Sequence, residues 1–490
     1  MTFQARITDE TPSLAHGSLL LREPSRALLR AVEAPDVEHA PRSEPAPRIE
    51  HAPRRPPAST PLPTNWMDRA ILAQTYPGRP MTTHHVLDAA APFDRARLMQ
   101  AVEALVRAVP TLRSFVRESP LGVERVARAA RWSRLDALVT YSDLPFELGQ
   151  SGWLTRELDL AREEPLRVLH SPRPGGGYQL VFTLHHSVTD GVGALALFDM
   201  LLAHYAALSG ERSAHAAPIP HRGARLRSLL ARRGPKLALS LMLDNVRRAG
   251  RFTDRRAALL EQVDAPAGLL RCAVVDVPQA SWLRLKDRAS ALGCTRNDLM
   301  LAAFLRAAAR WRREEGMPDE DFRALMPVDL RGELSVGPSM QNHIGVVEAD
   351  FTAGEVDGPA LPAIVAARIK AERAPGRVLA TPMALALLGK ALPPFAFRKL
   401  LRWLDERSSS FMYSFLFSHI RVPEGLRVPA SVKMQRVYCL SGLPRQPGIG
   451  LTITALPDAV TAALAYTPPR LSPEGAARLL ALFAAALDEA

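Results

Sequence analysis

The sequence predicts a mixed α/β protein built as two halves, and two observations carry that expectation. The chain has 490 residues, 47% of them hydrophobic. That is enough for at least two cores, because a single core stops growing at about 250–300 residues. Strand-like and helix-like runs also alternate without the regular βαβ repetition of a doubly wound sheet or a barrel.

Taken in order, residues 1–61 read as a largely disordered extension. Pro, Ala, Arg and Glu dominate there, and Glu38-His39-Ala40-Pro41-Arg42 recurs as Glu50-His51-Ala52-Pro53-Arg54. Repeated prolines remove backbone donors and favour polyproline II. A short helix is expected within Leu19–Val32. Residues 62–220 form the first half. Leu98, Ala101, Val102, Leu105 and Val109 recur at helical spacing and predict a helix over Asp94–Val109. The turn Gly175-Gly176-Gly177 introduces a buried strand, Tyr178–Leu184. A helix follows over Gly193–Leu208, with Leu195, Phe198, Leu202 and Tyr205 on one side and Gly210 at its stop.

Residues 221–265 read as a basic helical linker. Arg225, Arg227, Arg232, Arg233, Lys236, Arg247, Arg248 and Arg251 alternate with leucines. Such a helix either lies on an anionic membrane or joins the halves as a surface helix. Residues 266–490 form the second half. Strands are expected at Leu270–Val277, Arg323–Pro327 and Gly345–Asp350, with a pair at Gly450–Ala455 and Val460–Tyr466. Helices are expected at Ser281–Leu292, Asn297–Arg313 and Ser472–Asp488. An Asn or Asp of Arg296-Asn297-Asp298 is suited to capping the second of these.

Composition removes several function classes. Cys272, Cys294 and Cys439 show no paired spacing, which excludes a disulfide framework and predicts a cytosolic setting. The N-terminus has no secretory pattern, and no apolar run approaches the roughly 18–20 residues that span a bilayer. The net charge of +12 suits an anionic lipid, an acidic cofactor or an acidic carrier protein. No recognition-helix or zinc-finger pattern is present, so nucleic acid is not an expected partner. There is no G-x-S-x-G elbow, no H-E-x-x-H, no Walker loop and no cysteine–histidine zinc spacing.

One string carries chemistry: His185-His186-Ser187-Val188-Thr189-Asp190-Gly191, between a strand and a helix. A histidine near neutral pKa takes a proton from a hydroxyl or amine as it attacks a carbonyl. An aspartate four residues on can hold the loop through a salt bridge, and Gly191 lets the backbone approach the reacting centre. Gly191-Val192-Gly193-Ala194-Leu195-Ala196 also fits a dinucleotide fingerprint, but no second strand ending in an acid follows it. A second pair, His84-His85, lacks the Asp-Gly and is assigned no role.

On these residues the chain resembles the condensation-domain superfamily of acyltransferases, whose shared signature is H-H-x-x-x-D-G. Thr295-Arg296-Asn297-Asp298-Leu299-Met300-Leu301-Ala302-Ala303 is similar to a segment of bacterial wax ester synthase/diacylglycerol acyltransferases. So is Pro327-Val328-Asp329-Leu330-Arg331 with Asn342 eleven residues later. The sequence departs from them at Ser418-His419, where they carry Ser-Asn.

The resemblance implies two chloramphenicol-acetyltransferase-like halves in a V-shaped pseudo-dimer with a tunnel between them. It implies acyl transfer from acyl-CoA or an acylated carrier protein to a hydroxyl or amine, with no covalent acyl-enzyme. By resemblance His186 is the general base, and His185 and Asp190 are structural, with Arg331 the partner of Asp190. Gly191 gives a backbone contact to the oxyanion. Asn342, Asn297 and Asp329 are supporting residues. No metal or bound cofactor is implied, and a monomer is expected, with an acyl-carrier protein or a membrane surface as a partner. Within the same fold the alternatives are an amide-forming condensation domain of nonribosomal-peptide type and a non-catalytic partner domain.

Overall fold

Side-chain caps fix the starts of several helices, with Asn65, Asp94, Asp190, Thr295 and Thr352 as the capping residues. In the computed structural model, the described residues are 60–75, 80–119, 122–129, 135–149, 152–211, 243, 258–259, 270–336, 339–374, 377–408, 413–422, 425–443, 448–467 and 471–489. All lie in the unit Pro56–Ala490. The expected extension lies outside them except for its last two residues. So does the basic linker, apart from Leu243, Ala258 and Leu259.

The elements run β1 (Thr60–Leu62), α1 (Trp66–Gln74), β2 (Thr82–Ala89), α2 (Arg95–Ala108), β3 (Ser114–Ser119), β4 (Gly122–Ala127), α3 (Leu135–Leu138), β5 (Val139–Tyr141), β6 (Leu166–Pro172), β7 (Tyr178–His185) and α4 (Gly191–Leu208). They continue as β8 (Arg271–Val277), α5 (Gln279–Ala291), α6 (Arg296–Glu314), β9 (Phe322–Asp329), α7 (Arg331–Leu334), β10 (Ile344–Phe351), α8 (Ala353–Asp357), α9 (Leu361–Glu372), α10 (Ala380–Ala391) and α11 (Pro394–Ser408). The last are β11 (Phe415–Arg421), β12 (Met434–Leu440), β13 (Ile449–Ala455), β14 (Val460–Tyr466) and α12 (Pro473–Glu489).

Two large sheets organise the molecule. One has the order β12-β2-β7-β6-β5 and the other β10-β9-β11-β13-β14-β8. A small sheet, β1-β4-β3, stands apart. Strand alternation sorts the side chains by face. On β7, Leu180, Phe182 and Leu184 join the core under α2 and α4, while Val181 joins a second core with Leu440 of β12 and Ala463 and Ala465 of β14. That second core binds the two sheets to each other. The largest core lies around α6 and α12, against the six-stranded sheet.

The halves are interlaced rather than cut at one point in the chain. Strand β12 comes from the second half yet pairs antiparallel with β2, with Cys439 opposite His85. Helix α1 comes from the first half yet places Trp66, Met67, Ala70 and Ile71 in the largest core. A sequence division at 221–265 therefore does not coincide with the division of the sheets.

Helix α4 departs from the one-sided pattern expected of it. It buries Ala194, Leu195, Leu197, Phe198, Met200, Leu201, Leu202, Ala203, Tyr205 and Ala206. The sheet lies against one side, α2 against another, and Ile420, Val422 and Leu426 from the second half share its core. By length and composition it is also a helix able to cross a membrane, contrary to the expectation that no such run exists, and 61% of that window is buried inside the protein. Its acidic residue Asp199 is paired with Arg427.

Candidate functional site

The site grows from the end of β7. His185 N donates to Pro165 O at 2.9 Å and His186 N donates to Met81 O at 2.6 Å, which pins the strand's exit. Helix α4 then begins at Gly191, capped by Asp190, whose carboxylate accepts from Gly193 N at 3.0 Å. Space is short at two glycines here, severely at Gly193 and mildly at Gly191. A Cβ on Gly193 would lie 1.9 Å from Thr189 Oγ1, and one on Gly191 would lie 3.3 Å from Ile420 Cδ1. The N–H groups of Gly191 and Val192 belong to the first turn of α4, where a helix leaves its donors without intrahelical partners.

Asp190 is fully buried and does more than cap. Arg331 grips it with both terminal nitrogens, Nη1 to Oδ2 at 2.9 Å and Nη2 to Oδ1 at 3.0 Å. This two-point fork is the strong form of a carboxylate pair. His343 N adds a third donor at 2.8 Å. Arg331 is aimed in turn by Asp329, which accepts from its N at 3.0 Å and its Nη1 at 2.9 Å. Burial works against the guanidinium charge, and Asp190 and Asp329 outweigh it, so its pKa is raised. The structure thus brings Asp190, Arg331 and Asp329 together, and the pair ties the β7–α4 turn to residues 329–343.

The two histidines of the motif have different surroundings. His185 is 1% exposed, and both its ring nitrogens are used. Ser187 N donates to its Nδ1 at 3.2 Å, with Ser187 Oγ also 2.8 Å away. Nδ1 is therefore the acceptor and Nε2 carries the proton, facing Thr75 Oγ1 at 3.2 Å while the Thr75 hydroxyl donates to Ile71 O. Burial first, then Arg125 and His186, push its pKa down to about 3. It is a neutral structural residue. Arg125, itself 1% exposed, donates to Ser187 Oγ at 2.7 Å and holds the turn from the side of β4.

His186 is only partly buried. Its Nδ1 lies 3.1 Å from Asn342 Oδ1. The Asn342 amide can face only one way. Its Nδ2 donates to Asp68 Oδ1 and to His186 O, both at 2.8 Å, and neither of those oxygens can donate. Oδ1 therefore faces the ring, Nδ1 carries the proton, and Nε2 keeps its lone pair. Asn342 is fully buried and further held by Asn65 Nδ2, which donates to Asn342 O at 2.6 Å. Asn65 and Asp68 form the capping box that starts α1. The same two residues thus begin a helix and fix the His186 ring through Asn342. Asn65, Asp68 and Arg125 are missed by sequence reasoning. The run Asn65-Trp66-Met67-Asp68, a capping-box spacing ahead of an apolar helix, was the available signal for the first two.

A cavity of about 170 Å³ opens at His186, lined also by Thr83, His85, Gly191, Ser418, His419, Ser441 and Thr452, with Asp190, Asp329 and Arg331 at its wall. A second cavity, about 920 Å³, shares Pro327, Val328, Asp329 and His419 with it. Asn297 lines this second cavity and is not among the residues of the first. Nor does it cap α6: Thr295 does so, accepting from Asp298 N in another capping box. Asn297 thus shares the second cavity with Asp329, and the structure does not bring it to the cavity at His186.

No family model matches the chain, and no curated protein matches it in sequence. Solved structures do match it. The first condensation domain of the calcium-dependent antibiotic synthetase, with a bound substrate analogue, aligns with a TM-score of 0.61 at 16% identity, over 88% of this chain and 97% of that one. Trichothecene 15-O-acetyltransferase from Fusarium sporotrichioides aligns with a TM-score of 0.60 at 11% identity, over 87% and 94%. Polyketide synthase associated protein 5 from Mycobacterium tuberculosis aligns with a TM-score of 0.56 at 17% identity, over 88% and 99%. The chain has the mixed α/β fold of condensation domains and related acyltransferases.

Proposed function

We propose that this chain transfers an acyl group from a thioester to a hydroxyl or amine, with His186 as general base. One observation carries the reading. Asn342 fixes His186 with Nδ1–H inward, so a basic Nε2 belongs to a side chain that lines a cavity. The acceptor's proton passes to Nε2 as its oxygen or nitrogen bonds to the thioester carbon. The carbonyl electrons move onto oxygen, and the N–H groups at the start of α4 are placed at that cavity's edge to stabilise the charge. When the intermediate collapses, the C–S bond breaks and the thiol leaves with the proton from His186. No acyl-enzyme is formed. The rate gain comes from proximity and one positioned base.

The donor is an acyl-CoA or an acylated carrier protein. A cavity of about 170 Å³ is below the roughly 300–1,000 Å³ of ordinary ligand sites, so it takes the reacting groups alone. The adjoining 920 Å³ cavity has room for the bulk of one substrate.

The test is thiol release by the purified protein with acyl-CoAs of graded length and acyl-carrier proteins, each against alcohols and amines, beside His186→Ala. Acceptor-dependent release that falls about 10²–10⁴-fold in the variant supports the reading. Absence of release with every pair, or an equally active variant, overturns it. Release only with amines and carrier-bound donors would favour an amide-forming condensation domain, the reading to which the antibiotic-synthetase likeness lends weight.

A further inference from the structure

The cavity at His186 has a second imidazole in its wall, and the base mechanism leaves it unused. His85 lies on β2, opposite Phe182 of β7 and opposite Cys439 of β12. It is 1% exposed, yet it lines the same cavity as His186. Its Nδ1 is 3.0 Å from Cys439 Sγ. Its Nε2 is buried and has no hydrogen-bond partner among the described residues. A buried polar atom left unpaired costs stability, so an unpaired nitrogen on a residue that lines a cavity points to a hydrogen-bond partner supplied by a ligand.

The position of its proton follows from its neighbour. Burial pushes the Cys439 thiol up to about 12, so the sulfur keeps its hydrogen. A thiol can give or take a hydrogen bond; where its S–H donates to Nδ1, the neutral imidazole carries its own proton on Nε2, and that is the tautomer the inference uses. Burial first, then the nearby His186, push the His85 ring down to about 3, which keeps it neutral. Phe198 of α4, with ring centroids 6.1 Å apart, backs the ring and restrains it. The two cavity histidines are therefore complementary. His186 presents a lone pair, and His85 presents an N–H.

We propose that His85 is a second catalytic histidine, whose Nε2–H donates to the thioester carbonyl oxygen and holds the oxyanion formed on attack. The inference rests on the acyl-transfer reading above. As the acceptor oxygen or nitrogen bonds to the carbonyl carbon, its proton goes to His186 Nε2. The C=O π electrons move onto oxygen, and that oxygen accepts the hydrogen bond from His85. Collapse re-forms C=O, releases the bond to His85 and expels sulfur, which takes the proton back from His186. No proton leaves His85 at any stage. A donor fixed in a water-poor wall costs no reorganisation during the reaction, which is what makes such groups effective.

The test compares wild type, His85→Phe and His85→Gln in the thiol-release assay on the full chain. Thermal unfolding and the affinity for a thioether analogue of the donor, which has no carbonyl oxygen, are measured beside it. The expected result is a loss of about 10²–10³-fold in kcat for His85→Phe, with thioether affinity and KM nearly unchanged. His85→Gln, whose amide can still donate, should regain about tenfold of that loss, as one restored hydrogen bond allows. An active wild type with His85→Phe within about threefold in kcat, a change inside the worth of a single weak hydrogen bond, overturns the inference and leaves the acyl-transfer reading standing. So does a loss of thioether affinity matching the loss in kcat in both variants, which marks a packing role. A wild type that releases no thiol with any pair overturns the acyl-transfer reading, and the role of His85 with it.

Discussion

The chain has two histidine pairs on neighbouring antiparallel strands, His84-His85 on β2 and His185-His186 at the end of β7, and they share one logic. His84 and His85 are consecutive on a strand and point opposite ways, while His186 leaves β7 at the turn after His185, so each pair divides its surroundings. His84 is fully buried, with Nε2 on Thr82 Oγ1 at 3.1 Å and Nδ1 on Thr183 Oγ1 at 3.0 Å. His185 likewise spends both nitrogens on Ser187 and Thr75. The other member of each pair spends one nitrogen on a fixed neighbour, Cys439 or Asn342, and lines the cavity. On the proposed reading, the division of roles follows hydrogen-bond saturation, whereas the Asp-Gly follows only the second pair.

The largest expected effect tests the burial that three of these rings share. The pKa values of His84, His85 and His185 are all lowered to about 3, chiefly by burial. The unfolded chain takes up their protons near the ordinary histidine value, about 6.5, while the folded chain does not until about pH 3. Between those limits the unfolded state binds more protons, so stability rises with pH and is fully present above about 6.5. Each ring contributes a slope of about 1.4 kcal/mol per pH unit, so three give up to about 4. Urea unfolding at pH 7.5, 6.5 and 5.5 should show a flat region and then a steep fall. His170 and His419, lowered to about 4, add to the same fall, so His84→Gln should lower the slope by about one fifth. A stability that stays flat from pH 7.5 to 5.5 would break the claim that these rings stay neutral.

The next effect separates anchoring from chemistry within the second pair's turn. Arg331→Met leaves the buried Asp190 carboxylate without its fork, and breaking such a pair costs about 3–5 kcal/mol. The variant should unfold at a markedly lower temperature and lose activity with it. Asp190→Asn with Arg331→Met together should recover much of the stability, since no buried charge is then left alone. No recovery would place the cost in the other hydrogen bonds of Arg331, to Ser339 O and Gln341 O, rather than in the stranded charge, since Asn still caps α4.

A smaller effect concerns orientation. Asn342→Ala removes the group that fixes the His186 tautomer and takes one donor from Asp68 Oδ1, to which the backbone N of residue 342 still donates. Misplacing a reacting group by about 1 Å can cost on the order of 10²-fold, so kcat should fall by up to that factor. KM should change little, because Asn342 is buried behind His186 and is not among the cavity's lining residues. A rise in KM with kcat unchanged would instead make Asn342 a substrate contact.

Much of this was legible in the sequence, for physical reasons that can be named. Elements with strong periodicity were readable: the strands near Leu270–Val277 and Val460–Tyr466 and the helices α2, α5, α6 and α12 fall within a few residues of their expected places. The meeting of Asp190 with Arg331 was expected from the family resemblance, and the structure brings them together. The strand β2 was not legible, because Thr82-Thr83-His84-His85 offers no polar–apolar alternation when both its faces are buried. Nor was the role of α1, since Asp68 reaches Asn342 across 274 positions of sequence. β12 was invisible for the same reason: its membership in the first sheet is a long-range choice that no local pattern records.

The smallest expected effect distinguishes the two cavities. Sequence similarity grouped Asn297 with Asn342, but the structure gives them different surroundings. Asn342 is locked between Asp68 and His186, while Asn297 faces the 920 Å³ cavity at the start of α6. A residue that touches only the bulk of a substrate affects ground state and transition state equally. Asn297→Ala should therefore raise KM for one substrate by about two- to tenfold, the worth of a single neutral hydrogen bond, with kcat preserved. The substrate whose KM rises is the one that fills the larger cavity, so the variant also reports which partner enters there. A fall in kcat with KM unchanged would mean that α6 moves against the His186 cavity during the reaction, and that the wall formed by Pro327, Val328 and His419 is a coupling between the cavities rather than a partition.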